Sequence, residues 1–69
     1  MMKKYTLQEL RENKKMTLQE VGDKMGGISR QMVKMWENGT RTPSLTYIEK
    51  YLSIFGVKFE QVVWRADEK

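Results

Sequence analysis

Apolar residues recur at intervals of three and four in the second half of the chain, which is the spacing of one face of a helix. The stripe is clearest between Pro43, which suits the start of a helix, and Gly56, which suits its end. Its members are Leu45, Ile48, Tyr51, Leu52 and Phe55. The pattern predicts one amphipathic helix between Ser44 and Gly56.

Three further helix starts precede this one, and each is marked by a capping residue. The segments Thr6-Leu7-Gln8-Glu9 and Thr17-Leu18-Gln19-Glu20 are capping boxes, in which hydroxyl and carboxylate each accept a backbone N–H. Ser29 is a third N-cap. Apolar pairs flank the three caps at hydrophobic-staple positions: Tyr5 with Leu10, Met16 with Val21, and Ile28 with Val33. These signals predict three short helices that begin after residues 6, 17 and 29.

The helix ends agree with these starts. Asn13-Lys14-Lys15 ends the first helix with cations near its negative pole, although a contact with phosphate is a second option for the lysines. Gly26-Gly27 ends the second helix and Gly39 the third. Gly22 lies inside the second helix, where glycine costs about 1 kcal/mol relative to alanine, so we expect the third helix to approach closely there.

Residues 57–64 fit two structures. Phe59, Val62 and Val63 have helical spacing, but the segment is rich in β-branched and aromatic residues, and Lys58 stands where an N-cap is expected. We favour a fifth helix over a strand. We further expect an N-terminal arm at residues 1–5, one domain at residues 6–64 and a fraying tail at residues 65–69.

Composition excludes several classes of protein. The chain has 69 residues and lacks both Cys and His. Disulfides and thiolate metal sites are therefore impossible, and the commonest catalytic acid–base group is absent. No apolar run reaches the roughly 18 residues of a membrane span. We expect a cytoplasmic, non-enzymatic domain that needs no metal or cofactor and shows no evident small-molecule ligand.

The net charge of +4 is unevenly distributed. Residues 1–42 hold nine Lys or Arg and five acidic residues, whereas residues 43–69 hold four of each. All of the excess therefore lies in the first part of the chain, which suggests a polyanionic partner for one face.

The predicted third helix carries that charge on one side. At 100° per residue, Ser29, Val33 and Trp36 share the face that must meet the core. The other face and its flank carry Arg30, Gln31, Lys34, Met35 and Asn38. Arg and Lys suit guanine, Gln suits adenine, and an apolar group suits the thymine methyl. A polar face alone is common, but a short Gly turn and a preceding helix complete a helix-turn-helix pattern.

Three segments of the chain resemble the Cro/C1-type helix-turn-helix proteins, also called the Xre family. They are Ile28-Ser29-Arg30, Trp36-Glu37-Asn38-Gly39 and Arg41-Thr42-Pro43-Ser44. Phe55-Gly56-Val57 follows in the family's order, and the likeness runs over residues 10–63. It implies an all-α, lambda-repressor-like bundle of four to five short helices. The helix-turn-helix unit covers about residues 17–38, formed by helices 2 and 3. The C-terminal part is similar to small regulators of phages and mobile elements.

The resemblance also implies contacts with DNA. Residues at base-contacting positions are Ser29, Arg30, Gln31 and Met35, with Lys34 at their edge. Residues at or beside phosphate-contacting positions are Thr17, Gln19, Asn38, Thr40 and Arg41. The chain departs from the family in two places: Leu18 follows the second cap where Gln is frequent, and the turn holds two Gly instead of one.

The expected function is sequence-specific binding of double-stranded DNA by a transcriptional repressor, a homodimer on a palindromic operator in a bacterial or phage-infected cell, associated with the nucleoid. The alternative is a protein-interaction module of the antitoxin or antirepressor type. Val63 and Trp64 are a possible dimer contact, although Trp64 could equally cover the domain's own core. Trp36 is expected in the core, and Glu37 is expected to hold the next loop by an ion pair, for example with Arg41.

Overall fold

Between residues 4 and 64 the domain consists of four α-helices and one pair of two-residue strands. The computed structural model describes residues 4–64. In chain order the elements are β1 (Tyr5–Thr6), α1 (Leu7–Asn13), α2 (Leu18–Lys24), α3 (Arg30–Asn38), α4 (Leu45–Phe55), a 3₁₀ turn (Phe59–Gln61) and β2 (Val62–Val63). The predicted all-α class and the four predicted helices are confirmed.

Local capping sets where the helices begin. In α1 the hydroxyl of Thr6 accepts the N–H of Glu9 at 3.0 Å, and the Glu9 carboxylate accepts the N–H of Thr6 at 2.9 Å. Thr17 and Glu20 repeat this exchange at the start of α2, at 3.1 and 2.7 Å. At the start of α3 the Ser29 hydroxyl accepts the N–H of Met32. This cap has no reciprocal hydrogen bond from a carboxylate, because no acidic residue lies in the first turn of α3. The predicted capping boxes are therefore present.

Glycines end α3 and α4, as predicted. Gly39 and Gly56 follow the two helices with φ values of 79° and 65°. These left-handed conformations favour glycine because other residues meet a steric cost there.

The second and third helices meet at Gly22. A Cβ at this position would collide with the backbone carbonyl of Ile28 and would lie 3.7 Å from a methyl group of Val33. The carbonyl oxygen of Gly22 also accepts the N–H groups of Gly27 and Ile28, at 3.1 and 3.0 Å. The close approach expected from the sequence is confirmed, and it fixes the distance between α2 and α3.

Aromatic rings link the helices to the C-terminal segment through a continuous series of contacts. Trp36 of α3 lies 5.2 Å from Tyr47 and 5.8 Å from Tyr51, centroid to centroid. Tyr51 in turn meets Phe55 at 5.8 Å and Trp64 at 5.9 Å. Around this series lie the buried aliphatic residues Leu7, Leu10, Val21, Met25, Val33 and Val62. Trp36 is thus a core residue, as predicted.

The favoured fifth helix is wrong. Residues 59–61 form a single 3₁₀ turn, and Val62–Val63 pairs in parallel with Tyr5–Thr6, with Tyr5 opposite Val62. The N–H of Lys58 donates to the side chain of Gln61 at 2.9 Å, and Lys58 makes no side-chain cap. A weakly capped turn followed by two β-branched residues extends more readily than it continues as a helix.

Trp64 covers the domain's own core. Its side chain is 5% exposed, its indole N–H donates to the carbonyl of Phe59 at 3.2 Å, and its ring stacks on that of Phe59 at 5.6 Å. This is one of the two alternatives left open by the sequence. The predicted dimer contact at Val63 and Trp64 stays a prediction, and the C-terminal tail at residues 65–69 lies outside the described residues.

Candidate nucleic-acid interface

One face of α3 is open to solvent and polar. Arg30, Gln31, Lys34 and Asn38 are exposed on it, whereas Val33 is completely buried on the opposite side. Met35 lies between the two faces and is half-buried, so less of its side chain is accessible than its helical position suggested. The orientation predicted for the third helix is observed for Val33 and Trp36, which are buried. Ser29, which was expected on the same core face, is exposed because it is the extended N-cap residue and lies outside the helical turns.

The start of α3 is exposed together with that face. Ser29 is accessible, although its hydroxyl already accepts the N–H of Met32 at 3.3 Å. Before it, Gly26 and Gly27 both have φ of +101°, and nothing lies within 4 Å of a Cβ built on Gly27. The two-glycine turn is thus an open, left-handed connection that delivers the chain to the cap of α3.

The residues predicted at phosphate positions are accessible to a ligand. Thr17, Gln19, Asn38, Thr40 and Arg41 are all exposed. Two of them have intramolecular partners, since the Thr17 hydroxyl caps α2 and the Gln19 amide donates to Asp23 at 3.1 Å. A ligand at either position would share or replace these hydrogen bonds.

The loop after α3 folds back over the end of that helix. The backbone N–H groups of Thr40 and Arg41 both donate to the carbonyl of Met35, at 3.0 and 3.2 Å. This closure fixes the backbone of Arg41 beside the end of α3. The Arg41 side chain borders a shallow cavity of about 310 Å³ whose walls include Met32, Trp36 and Tyr47.

The partner of Glu37 is Arg11, and the suggested pairing with Arg41 is wrong. The guanidinium of Arg11 donates to both carboxylate oxygens of Glu37, at 2.7 and 3.2 Å, and also to the carbonyl of Met16 at 3.1 Å. This hydrogen bonding to Glu37, opposed by partial burial, raises the pKa of Arg11 above its ordinary value. Arg11 therefore ties α1 both to the segment before α2 and to the end of α3.

Sequence reasoning missed this role of Arg11 because the two residues lie 26 positions apart. Nothing in the local pattern around Arg11 distinguishes it from the lysines nearby. Within residues 4–64 it forms the only ion pair closer than 4.0 Å, so the remaining described cations keep their charges available for a ligand.

Other kinds of site find no support in the described part of the chain. No group of three or more acidic residues is arranged to hold a metal ion between residues 4 and 64. Over the same residues, no helix has the length and apolar character required to cross a membrane.

Two helices joined by a tight glycine turn, with a cationic and amide-bearing face on the second, define a DNA-binding helix-turn-helix protein. The family model described as helix-turn-helix matches residues 7–62, and the chain belongs to this Cro/C1-type family of DNA-binding regulators. No curated protein and no solved structure matches the chain. Its macromolecular ligand is accordingly double-stranded DNA, and the family is generally non-enzymatic.

Proposed function

We propose that the protein is a sequence-specific transcriptional repressor that reads the major groove with α3. The observation that carries the proposal is the exposed face of Arg30, Gln31 and Lys34, opposite the buried Val33. None of the described acidic side chains lies within ion-pairing distance of Arg30 or Lys34. A cationic helix face free of internal partners is suited to a polyanion.

Side-chain chemistry assigns a role to each member of this face. Arg30 bridges O6 and N7 of a guanine, Gln31 bridges N6 and N7 of an adenine, and Lys34 contacts a guanine or a phosphate. Met35 presents a partly exposed apolar chain to a thymine methyl group, and Ser29 contacts the base next to the start of the helix. These contacts would supply selection among sequences.

Contacts with phosphates would supply most of the affinity, independently of sequence. Arg41 is the strongest candidate, because its backbone is fixed by the Met35 carbonyl and its charge is unpaired. Asn38 and Thr40 precede it in the chain and are also exposed. Thr17 and Gln19 serve at the start of α2 by exchanging their present hydrogen bonds.

The functional unit is proposed to be a homodimer on a palindromic operator. A two-fold dimer places its two reading helices in successive major grooves on one side of the duplex, about 34 Å apart. Val63 and the neighbouring Trp64 belong to the end of the domain that would form the dimer contact. A regulator of this kind acts at the bacterial nucleoid, including that of a phage-infected cell.

Selection from a pool of random DNA duplexes, followed by binding measurements, tests the proposal. Arg30→Ala should cost about 1–3 kcal/mol on the selected operator and relax preference at one base pair, whereas Arg41→Ala should weaken binding to every sequence. Lys58→Ala, at an exposed position near the other end of the domain, is the control. If no sequence is enriched, or if Arg30→Ala leaves operator and random duplex affinities unchanged, the reading role of α3 is wrong.

The second candidate function is that of a protein-interaction module of the antitoxin or antirepressor type. The observation in its favour is that residues 62–63 form a strand, because a strand edge can pair with another chain. Enrichment of a DNA sequence by the wild-type protein in this selection would favour the repressor, whereas the absence of any enriched sequence would favour the module.

A further inference from the structure

A cavity of about 310 Å³ opens between α3 and the start of α4. Ile28, Met32 and Trp36, which are four positions apart along the chain, line it on the α3 side, and Tyr47 lines it from α4. Sites for small ligands occupy roughly 300–1,000 Å³, so this cavity has room for a ligand at the small end of that range. These four residues play no part in the base or phosphate contacts proposed above.

The walls of the cavity are apolar and partly aromatic. Ile28, Met32 and Tyr47 are half-buried, so each keeps some apolar surface accessible. The rings of Trp36 and Tyr47 lie 5.2 Å apart, centroid to centroid, with their planes inclined by 40°. Aromatic rings pack favourably against one another at centroid distances of roughly 4.5–7 Å. A planar aromatic ring is therefore the group that these walls accommodate best.

The rim of the same cavity is polar and carries one positive charge. Arg41, Thr42 and Ser44 line it, and no acidic group of residues 4–64 lies within 4.0 Å of the Arg41 guanidinium. Ser44 is the N-cap of α4, but its hydroxyl makes no capping hydrogen bond. A guanidinium binds a carboxylate through two parallel N–H···O bonds, and hydroxyl groups can donate to the same acceptor. The rim is therefore complementary in charge to a carboxylate attached to the ring.

Another cleft of the domain lacks this combination. It has a volume of about 430 Å³ between α1 and the end of α4, and Lys14 borders it. The amide side chains of Asn13 and Gln61 also line it, so an apolar ring would cover polar groups there. Of these two cavities, the one at Arg41 has the more apolar walls, and the one at Lys14 supplies a control.

We propose that the cavity between α3 and α4 binds a small aromatic carboxylate, with its ring against Trp36 and Tyr47 and its carboxylate on the guanidinium of Arg41. Because Arg41 is also the proposed phosphate contact, the bound acid competes with the DNA backbone for one cation. The ligand therefore acts as an effector that weakens binding to DNA. The binding site stands on the cavity itself, whereas this competition rests on the proposed function.

Three probes separate the ring from the charge in NMR titrations of the 69-residue chain. They are 2-naphthoate, which has both features, 2-naphthamide, which has only the ring system, and acetate, which has only the charge. 2-Naphthoate should shift the indole resonance of Trp36 saturably, with a Kd of about 1 mM, as expected for about 13 non-hydrogen atoms. The indole of Trp64, which donates to the Phe59 carbonyl, should not shift. 2-Naphthamide and acetate should each bind at least about fivefold more weakly.

Variants test whether Arg41 holds the carboxylate. Arg41→Gln should weaken binding of 2-naphthoate about fivefold, the upper range for an exposed ion pair, and leave that of 2-naphthamide unchanged. Arg41→Lys should recover part of the affinity, because it keeps the charge. Lys14→Gln, at the control cleft, should have no effect. The inference is overturned if the Trp36 resonance shows no saturable shift up to about 10 mM 2-naphthoate. Binding of 2-naphthamide or acetate as tight as that of 2-naphthoate, or equal weakening by Lys14→Gln, would also overturn it.

Competition with DNA is tested separately by fluorescence anisotropy of a labelled duplex, with acetate as the control for ionic strength. Saturating 2-naphthoate should weaken DNA binding by the wild type up to about fivefold at about 0.15 M salt, the value for loss of one phosphate contact. The selected operator and a random duplex should be affected equally, and Arg41→Gln should be insensitive. Unchanged DNA affinity of the wild type, or equal weakening in Arg41→Gln, would overturn the effector role. If the wild type binds no duplex, the repressor proposal falls, whereas the titrations without DNA still decide the cavity.

Discussion

The guanidinium of Arg11 and the carboxylate of Glu37 join α1 to the end of the reading helix through two hydrogen bonds, at 2.7 and 3.2 Å. The Glu37 side chain is only 1% exposed, whereas that of Arg11 is 15% exposed. A carboxylate buried to this extent depends on its partner, since an isolated charge would bear the full penalty of desolvation.

Arg11→Met should therefore destabilise the domain by about 3–5 kcal/mol, because it leaves the buried Glu37 carboxylate unpaired. The double variant Arg11→Met/Glu37→Met should be more stable than Arg11→Met, since it removes both charges. Urea unfolding followed by circular dichroism measures both effects. Arg30→Met, at an exposed and unpaired position, is the control and should change the free energy of unfolding by less than about 0.5 kcal/mol. A double variant less stable than Arg11→Met would contradict this account.

The second prediction concerns the contact between α2 and α3 at Gly22. Alanine is favoured over glycine in a helix by about 1 kcal/mol. Gly22→Ala should nevertheless destabilise the domain by about 1–3 kcal/mol, because the added methyl group meets the Ile28 carbonyl and must displace backbone. Differential scanning calorimetry gives the change in melting temperature. Lys24→Ala, exposed on the same helix, should have little effect, and a melting temperature raised by Gly22→Ala would show that the helices separate without cost.

The helix boundaries could be predicted from the sequence because their causes are local. Thr6, Thr17 and Ser29 cap residues three positions away, and Gly39 and Gly56 act on their own backbone. These interactions join residues that are close in sequence, so the local pattern of residues is enough to predict them.

Contacts between distant parts of the chain could not be predicted in the same way. The partner of Glu37 and the strand at Val62–Val63 are both set by segments remote in sequence, α1 and β1 respectively. The exposed face of α3 was predictable because one helical period fixes it. The left-handed backbone conformation of Lys15, with φ of +57°, could not be predicted, because the sequence has no glycine at that position.

A third prediction follows from the hydroxyl group of Tyr51, which is buried and has no hydrogen-bond partner among the described residues. Tyr51→Phe keeps the ring contacts with Trp36 and Trp64 and removes an unsatisfied polar atom. The free energy of unfolding at pH 7 should therefore be unchanged or higher, by up to about 1–3 kcal/mol. Tyr47→Phe, on the half-buried neighbour, is the matched control. A clear loss of stability in Tyr51→Phe would show that the hydroxyl has a partner in solution.

The same residue should make the fold sensitive to alkali. Burial raises the pKa of Tyr51 above its ordinary value of 10.0. Above about pH 10 the unfolded chain therefore loses this proton while the folded chain keeps it, and stability falls as pH rises, by at most about 1.4 kcal/mol per pH unit. Urea titrations between pH 9 and 11.5 should show a shallower decline for Tyr51→Phe than for the wild type or Tyr47→Phe. Parallel declines would contradict the assigned pKa direction.

The final prediction separates the two aromatic residues at the C-terminal end. Trp64 is 5% exposed and contacts Tyr51, whereas Phe59 is 52% exposed although it stacks on Trp64. Trp64→Ala should therefore cost about 3–5 kcal/mol of folding free energy, as expected for loss of a buried aromatic ring. Phe59→Ala should cost clearly less, because half of that ring is already in water.

Dimerisation should depend more on the exposed Phe59 than on the buried Trp64. An exposed aromatic side chain is a frequent component of protein interfaces, so the end of the domain that carries Phe59 is the expected contact between two copies. Phe59→Ala should weaken self-association in sedimentation equilibrium while the monomer remains folded by circular dichroism. Leu45→Ala, which truncates the other large exposed apolar side chain of the described residues, is the control. If Leu45→Ala lowers the association constant and Phe59→Ala does not, the dimer forms through the start of α4, and the Phe59 end of the domain is free for another partner.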